Sequence, residues 1–129
     1  MTSEKLIKIA KNGEKPILLD SVRLCRSRLC RLIGLQFHRR LHPGEGLLLA
    51  YEQDSIIASS IHMFFVFFPI AAIWINSQRI VTHRILALPW HPFYASPTPA
   101  CYVLETHPEL LRQIEVGDQL EFIENYQCH

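Results

Sequence analysis

The side chains of this sequence that are able to do chemistry fall into separated groups. Cys25 and Cys30 precede His38 and His42 with a spacing that looks like the start of a metal site. A structural zinc site, however, needs four ligands that converge on one point. If residues 22–33 form a helix, five positions turn the chain by about 140° net. That rotation directs Cys25 into an apolar face and Cys30 toward an arginine face, so no shared ion is expected and each cysteine reads as a small apolar or boundary residue.

His62 sits beside Met63 in an apolar stretch, with no charge next to it in sequence. A buried polar group of this kind needs one hydrogen-bond partner but no function; as a site residue it would supply an imidazole that titrates near neutrality. The segment PWHPFYASPTPA, 89–100, contains four prolines and presents Trp90, His91, Phe93 and Tyr94. Aromatic rings on a stiff loop lose little entropy on binding, which makes this loop a candidate recognition surface. The alternative is that Trp90 plugs one end of the fold. Glu105 and Asp118 fall near strand ends and can supply polar contacts or hold turns and caps. Arg23, Arg26, Arg28, Arg31, Arg39 and Arg40 can grip phosphates or form a solvated face. The latter is preferred, because no nucleic-acid motif accompanies them. No Gly-x-Ser-x-Gly elbow, phosphate-binding glycine loop or His-Glu-x-x-His is present, so nothing specifies a nucleophile.

The elements that must position these residues follow from length and patterning. With 129 residues, 49% hydrophobic and 19% charged, the chain has the composition of one globular domain, 1–129. Thirteen basic and twelve acidic residues leave a formal charge of +1, too small to steer nucleic acid or anionic lipid through the overall field. The N-terminus lacks the apolar run of a secretory signal, so a cytoplasmic location is expected. There the four cysteines would be reduced and a disulfide framework is not expected.

Residues 56–75, IIASSIHMFFVFFPIAAIWI, are twenty side chains without a formal charge, long enough to span a membrane as a helix. The stretch is rich in β-branched and aromatic residues, is interrupted by Pro69, and has no basic cluster just outside either end. The preferred reading is two buried strands, about 60–67 and 70–75, with Pro69 at the bend or at a bulge. Asn12-Gly13 predicts a hairpin over 5–19, with Pro16 placing the second arm at an edge. Val22, Cys25, Leu29, Leu32 and Ile33 share one face of a helix that Asp20 or Ser21 caps and Gly34 ends. Strands are expected at 47–51, 79–86, 101–105 and 119–124, and Thr106 with Glu109 has capping-box spacing for a short helix to about 114. These elements predict a mainly β domain, a compact sandwich or partly closed barrel of about seven or eight short strands, with one amphipathic helix near the start and one short helix near the end.

RLIGL at 31–35 followed by Arg39 or Arg40, LHPGEGLLL at 41–49, SIHMFFVFFPIAAIWI at 60–75, Pro89-Trp90, YVLE at 102–105 and VGDQL at 116–120 occur in an order and spacing that resemble the uncharacterised family catalogued as domain of unknown function 192. The resemblance covers about residues 17–123. It implies a compact β-rich fold with a helix near the start, and no established activity or cofactor. The family usually shows methionine at Val66 and aspartate at Ala71, so any role of that aspartate in relatives is absent or altered here. Thr106-His107-Pro108-Glu109 replaces the family's common small-residue turn.

The function expected on these grounds is non-enzymatic: a module holding an unidentified small molecule or peptide on a rigid β scaffold, with Arg31, His62, Trp90, His91, Glu105 and Asp118 as contacts. A hydrolase or lyase using His62 or His91 with Glu105 as an acid–base pair is the alternative. A protein-interaction subunit with a covered apolar patch is a further one. No cofactor, metal, nucleic acid or membrane partner is expected, and the chain is expected to be a monomer or weak homodimer.

Overall fold

A computed structural model describes residues 5–13 and 17–124. In chain order the elements are strands β1 (Lys5–Lys11) and β2 (Leu19–Cys25), helix α1 (Arg28–Ile33), strands β3 (Glu45–Ser55), β4 (Ile70–Ile75), β5 (Val81–Ala87) and β6 (Ala100–Thr106), a 3₁₀ helix (Pro108–Arg112), and strand β7 (Leu120–Glu124). The seven strands form one sheet in the order β5-β4-β6-β3-β2-β1-β7. All neighbours pair antiparallel except β2 and β3. A parallel pair cannot be closed by a tight hairpin, so the chain crosses over between them through α1 and the loop that follows.

The sheet curls until its outer strands meet at one end, where Ile80 bridges Gln119, Val81 N–H donates to the Asp118 carbonyl at 2.9 Å and Leu120 N–H donates to that of Arg79 at 2.8 Å. Among the described residues the edges join only there, so the mainly β fold does not close into a barrel. β4 is buried along its whole length, because both faces of the sheet are covered. Ala71, Ile73 and Ile75 point into a cluster with Ile9, Val22, Leu48 and Leu104, joined by Leu110 of the 3₁₀ helix and Ile114 just after it. Ile70, Ala72 and Trp74 point the other way, into a cluster with Leu47, Leu49, Ile61, Met63 and Val66. Each such aliphatic side chain contributes about 1.5–3 kcal/mol on burial.

Several expectations change in this frame. Residues 60–67 are not a strand: turns occupy 56–59 and 64–65, and only Ile61 makes a bridge, to Tyr94. Phe65 has φ 59°, which ends pleated alternation, so Ile61, Met63 and Val66 turn inward while Phe64, Phe65 and Phe67 stay exposed. The expected two-sided burial therefore applies to β4 alone. The loop 89–100 is partly paired, since Met63 N–H donates to the His91 carbonyl at 2.8 Å and Trp90 N–H donates to that of Met63 at 2.7 Å.

Val22 and Cys25 lie on β2 rather than on a helix, and α1 is six residues long with no buried side chain. Ser27, not Asp20 or Ser21, caps it by accepting the Cys30 N–H at 3.1 Å; Gly34 ends it as expected. The chain changes direction between Cys25 and Cys30, so the helical rotation invoked to separate them does not apply. Their Cα atoms are 5.6 Å apart and the two form a disulfide, which corrects the expectation of unpaired cysteines. Cys101 is free and buried, and Cys128 lies outside the described residues. The β1–β2 hairpin is present, with Gly13 at φ 76°; Pro16 lies outside the described residues. His107, rather than Thr106, caps the 3₁₀ helix by accepting the Glu109 N–H at 3.1 Å, because Thr106 is turned inward to donate to the Glu45 carbonyl.

Candidate functional site

On the face away from the 3₁₀ helix, α1 and the irregular segment 58–66 stand over β3 and β6 and leave a cleft of about 250 Å³. Its floor is set by strand register. Glu105 on β6 lies opposite Leu47 on one side and Ala72 on the other, so a carboxylate occupies the middle of an apolar sheet. Glu105 is 4% exposed, and its Oε1 has no hydrogen-bond partner among the described residues. Burial pushes this carboxyl up to about 7, since a charge removed from water without compensation favours its neutral form. Gly34 makes room above it: a Cβ at that position would sit 3.2 Å from Oε1. Gly34 also has φ 52°, which side-chain-bearing residues adopt at a cost.

Arg31 forms one wall. Its Nη1 donates to the Ala50 carbonyl at 2.9 Å, and its guanidinium stacks over the Tyr51 ring at 4.8 Å. The Tyr51 phenol is pushed up to about 12, first by burial and then by the Glu105 charge, with Arg31 opposing. Tyr51 is thus a neutral donor and acceptor at any physiological pH. Arg28, Ser60 and His62 add to the polar lining, and Leu35, Leu49, Ile61 and Val66 to the apolar lining. His62 Nδ1 accepts the Phe64 N–H at 3.2 Å, so in the neutral ring the proton sits on Nε2, a donor.

Of the residues singled out from sequence, Arg28, Arg31, His62 and Glu105 line this one cleft, while Trp90, His91 and Asp118 do not. Asp118 lies on the turn before β7, where it pairs with Lys11 at 3.3 Å and accepts the Glu115 N–H at 2.8 Å. His91 stacks on Tyr94 with centroids 4.2 Å apart. Trp90 is 48% exposed rather than a buried plug, and belongs to a surface ridge of rings. Phe37 and Phe65 stack at 5.0 Å, Phe65 meets Trp90 at 4.9 Å, and Phe67 meets Trp90 at 5.8 Å.

The cleft residues that sequence reasoning missed are Tyr51, Ser60 and Gly34. Tyr51 follows Leu47 and Leu49 at strand spacing, a signal that places it on the same face. Ser60 and Gly34 carried no signal beyond turn chemistry. Among the described residues no group of three or more His, Cys, Asp or Glu is placed to hold a metal ion, and no helix is long and apolar enough to cross a membrane.

The family model DUF192, described as Uncharacterized ACR, matches residues 7–122, beginning further upstream than the motifs quoted above. A UPF0127 protein of Pyrococcus furiosus is 30% identical over 103 residues, 78% of this chain and 85% of that protein. A UPF0127 protein of Pyrococcus abyssi is 30% identical over 84 residues, 64% of this chain and 71% of the other. Among solved structures, a protein of unknown function from Novosphingobium aromaticivorans superposes with a TM-score of 0.76 at 20% identity, over 90% of this chain and 83% of that one. A Sinorhizobium meliloti protein, provisionally named a transcription regulator, superposes with a TM-score of 0.79 at 22% identity, over 93% and 94%. At these identities the two structures share the fold and carry no assignment of function.

Proposed function

The chain belongs to the DUF192 family, and from that premise we propose that its curled sheet is a scaffold for binding, with the cleft under α1 taking a small molecule or the end of a peptide. A fold shared with uncharacterised relatives names no activity, so the reading rests on the site. Glu105 carries it: a carboxyl 4% exposed, with Oε1 lacking a partner, at the floor of a cleft that opens beside Arg31 and Tyr51. Such a group costs stability unless something arrives to satisfy it. The protein acts alone or as a weak homodimer, without nucleic acid or membrane.

The test is a thermal-shift screen of amines, carboxylic acids, amino acids, sugars and short peptides. A ligand at 100 times its Kd stabilises the native state by about 2.7 kcal/mol, and Glu105→Gln is expected to weaken the response. A screen without a stabilising compound, or a response that Glu105→Gln leaves unchanged, refutes the reading.

One observation favours a second reading. His62 and Glu105 line the same cleft, and a carboxyl with a raised pKa and an imidazole that can reach one bound substrate are suited to general acid–base work in a hydrolase or lyase. Turnover of an ester, amide or hydroxy acid abolished by Glu105→Gln, with ligand affinity retained, would separate catalysis from binding. A cytoplasmic setting is part of the proposal. Cytosolic thiols keep most disulfides open, so trapping the thiols of Cys25 and Cys30 in freshly lysed cells tests it. A fully oxidised pair removes that setting.

A further inference from the structure

We infer that the cleft is built for a small zwitterion, an α-amino acid with an aliphatic side chain, its ammonium on Glu105, its carboxylate on Arg31 and its side chain against Ile61 and Val66. The inference rests on the binding reading above and names the ligand class for that same site.

Arg31 and Glu105 have opposite charges and line one cleft, yet no ion pair joins them among the described residues, and Oε1 of Glu105 is left without a partner. What holds Arg31 back is visible. One of its N–H groups is committed to the Ala50 carbonyl and its plane lies on Tyr51, which leaves other donors of a five-donor fork for a ligand. The gap between the two side chains is therefore bordered by Arg31 on one side and a carboxyl on the other, and Arg28 adds a second cation to the lining on which a carboxylate can draw.

Ligands of one sign fit this gap poorly. A simple amine satisfies Glu105 but brings a second cation to Arg31. A simple carboxylate finds Arg31 but, where Glu105 is ionised, brings a second negative charge to a group whose Oε1 has no donor among the described residues. A neutral hydroxyl or amide compensates neither charge. A molecule carrying both signs a few bonds apart compensates both, and bonds to charged groups are the stronger kind.

Size and polarity narrow the class further. At about 250 Å³ the cleft falls below the about 300 Å³ at which pockets for drug-sized ligands begin. Ile61 and Val66, with Leu35 and Leu49, give it an apolar lining that suits a branched aliphatic side chain. The ammonium also explains how a carboxyl that burial holds up to about 7 becomes an ionised acceptor, because an adjacent positive charge favours the charged form.

Isothermal titration of the oxidised wild-type protein at pH 8 tests this with L-leucine, L-isoleucine and L-valine against 4-methylpentanoate, which lacks the ammonium, and 3-methylbutylamine, which lacks the carboxylate. An amino acid is expected to bind about tenfold to a hundredfold more tightly than either truncated analogue, the range for bonds to charged groups. Arg31→Met is expected to close the gap to the amine, and Glu105→Gln the gap to the carboxylate. Lowering the pH from 8 to 5.5 should weaken the amino acid, as Glu105 takes up its proton. Analogues that bind as tightly as the amino acids overturn the inference on wild-type protein alone. If no amino acid binds while another compound of the screen stabilises the protein through Glu105, the zwitterion assignment falls and the binding reading stands; if nothing binds, both fall.

Discussion

Glu105→Gln should make the protein more stable in mild alkali than the wild type, relative to their difference in acid. The carboxyl is raised by burial from its ordinary value of 4.5 to about 7, so the folded state holds this proton more tightly than the unfolded chain. Its contribution is fully present below pH 4.5 and is lost as the pH rises toward 7. At about 1.4 kcal/mol per pH unit, that window removes about 3 kcal/mol from the wild type by pH 8. Glutamine keeps the shape and has no proton to lose. Burial acts in the opposite sense on His38 and His83, lowering both, so each costs stability as the pH falls below its ordinary value. Those terms are common to both proteins and cancel in the difference. Urea unfolding of wild type and variant at pH 4 and pH 8 gives four free energies. The variant's relative gain between the two pH values should be about 3 kcal/mol, which for m of about 1–3 kcal/mol/M moves the midpoint by about 1–3 M. A gain below about 1 kcal/mol, or a variant that loses ground at pH 8, would show that Glu105 is solvated or already partnered.

Opening the Cys25–Cys30 bridge, a sequence separation of only 5, should lower stability by about 2 kcal/mol on chain entropy; hydrogen exchange should rise in residues 28–34, because α1 buries no side chain of its own, and stay low in β4. Gly34→Ala must hold a side chain at φ 52° with its Cβ 3.2 Å from Glu105 Oε1. A loss of about 1–3 kcal/mol in thermal unfolding, with weaker ligand response, is expected. Trp74→Phe removes the indole donor that Ser59 carbonyl accepts at 2.8 Å and hollows a fully buried site. It should cost about 2–4 kcal/mol by urea denaturation and increase protease cleavage in the 56–59 turn.

The parts of the fold that were legible in the sequence are those in which one local rule decides. β4 reads as a buried strand because six consecutive apolar residues between Pro69 and Asn76 leave no polar face. The turn at Asn12-Gly13, the end of α1 at Gly34 and the first-turn Pro108 follow from backbone preference alone. The failures come where two periods fit the same residues. Val22 and Cys25 are compatible with a helical wheel and with a strand whose buried positions are 19, 22 and 25; pairing with β1 and β3 decides for the strand, and only tertiary structure supplies that. The Cys25–Cys30 disulfide runs against a different premise, that of a reducing compartment, while the helical wheel bears only on a shared metal ion. Arg31 and Glu105 are separated by most of the sheet in sequence and line one cleft because β3 lies between β2 and β6, a fact that no local pattern encodes. Trp90 and His91 drew attention as rings on a stiff loop, and the loop spends its backbone on Met63 instead.

The segment that first looks like a membrane span gains its irregularity from the cleft it helps to form. Phe37, Phe65 and Trp90 are three of the four non-glycine residues with positive φ among the described residues, a conformation that costs a bulky side chain about 1–3 kcal/mol. A ring pair returns about 0.5–1.5 kcal/mol, so stacking alone does not hold them. The backbone does: Phe37 N–H donates to the Phe65 carbonyl at 2.9 Å and Trp90 N–H to that of Met63 at 2.7 Å. Each reversal sends an aromatic ring outward and lets the chain on either side turn in. Two residues before Phe37 is Leu35, and directly after Phe65 is Val66, both of which line the cleft. The same reversals that build the exposed ridge therefore aim the apolar lining at the space above Glu105. A regular strand over 60–67 would have buried this roof against the sheet and left the carboxyl no opening.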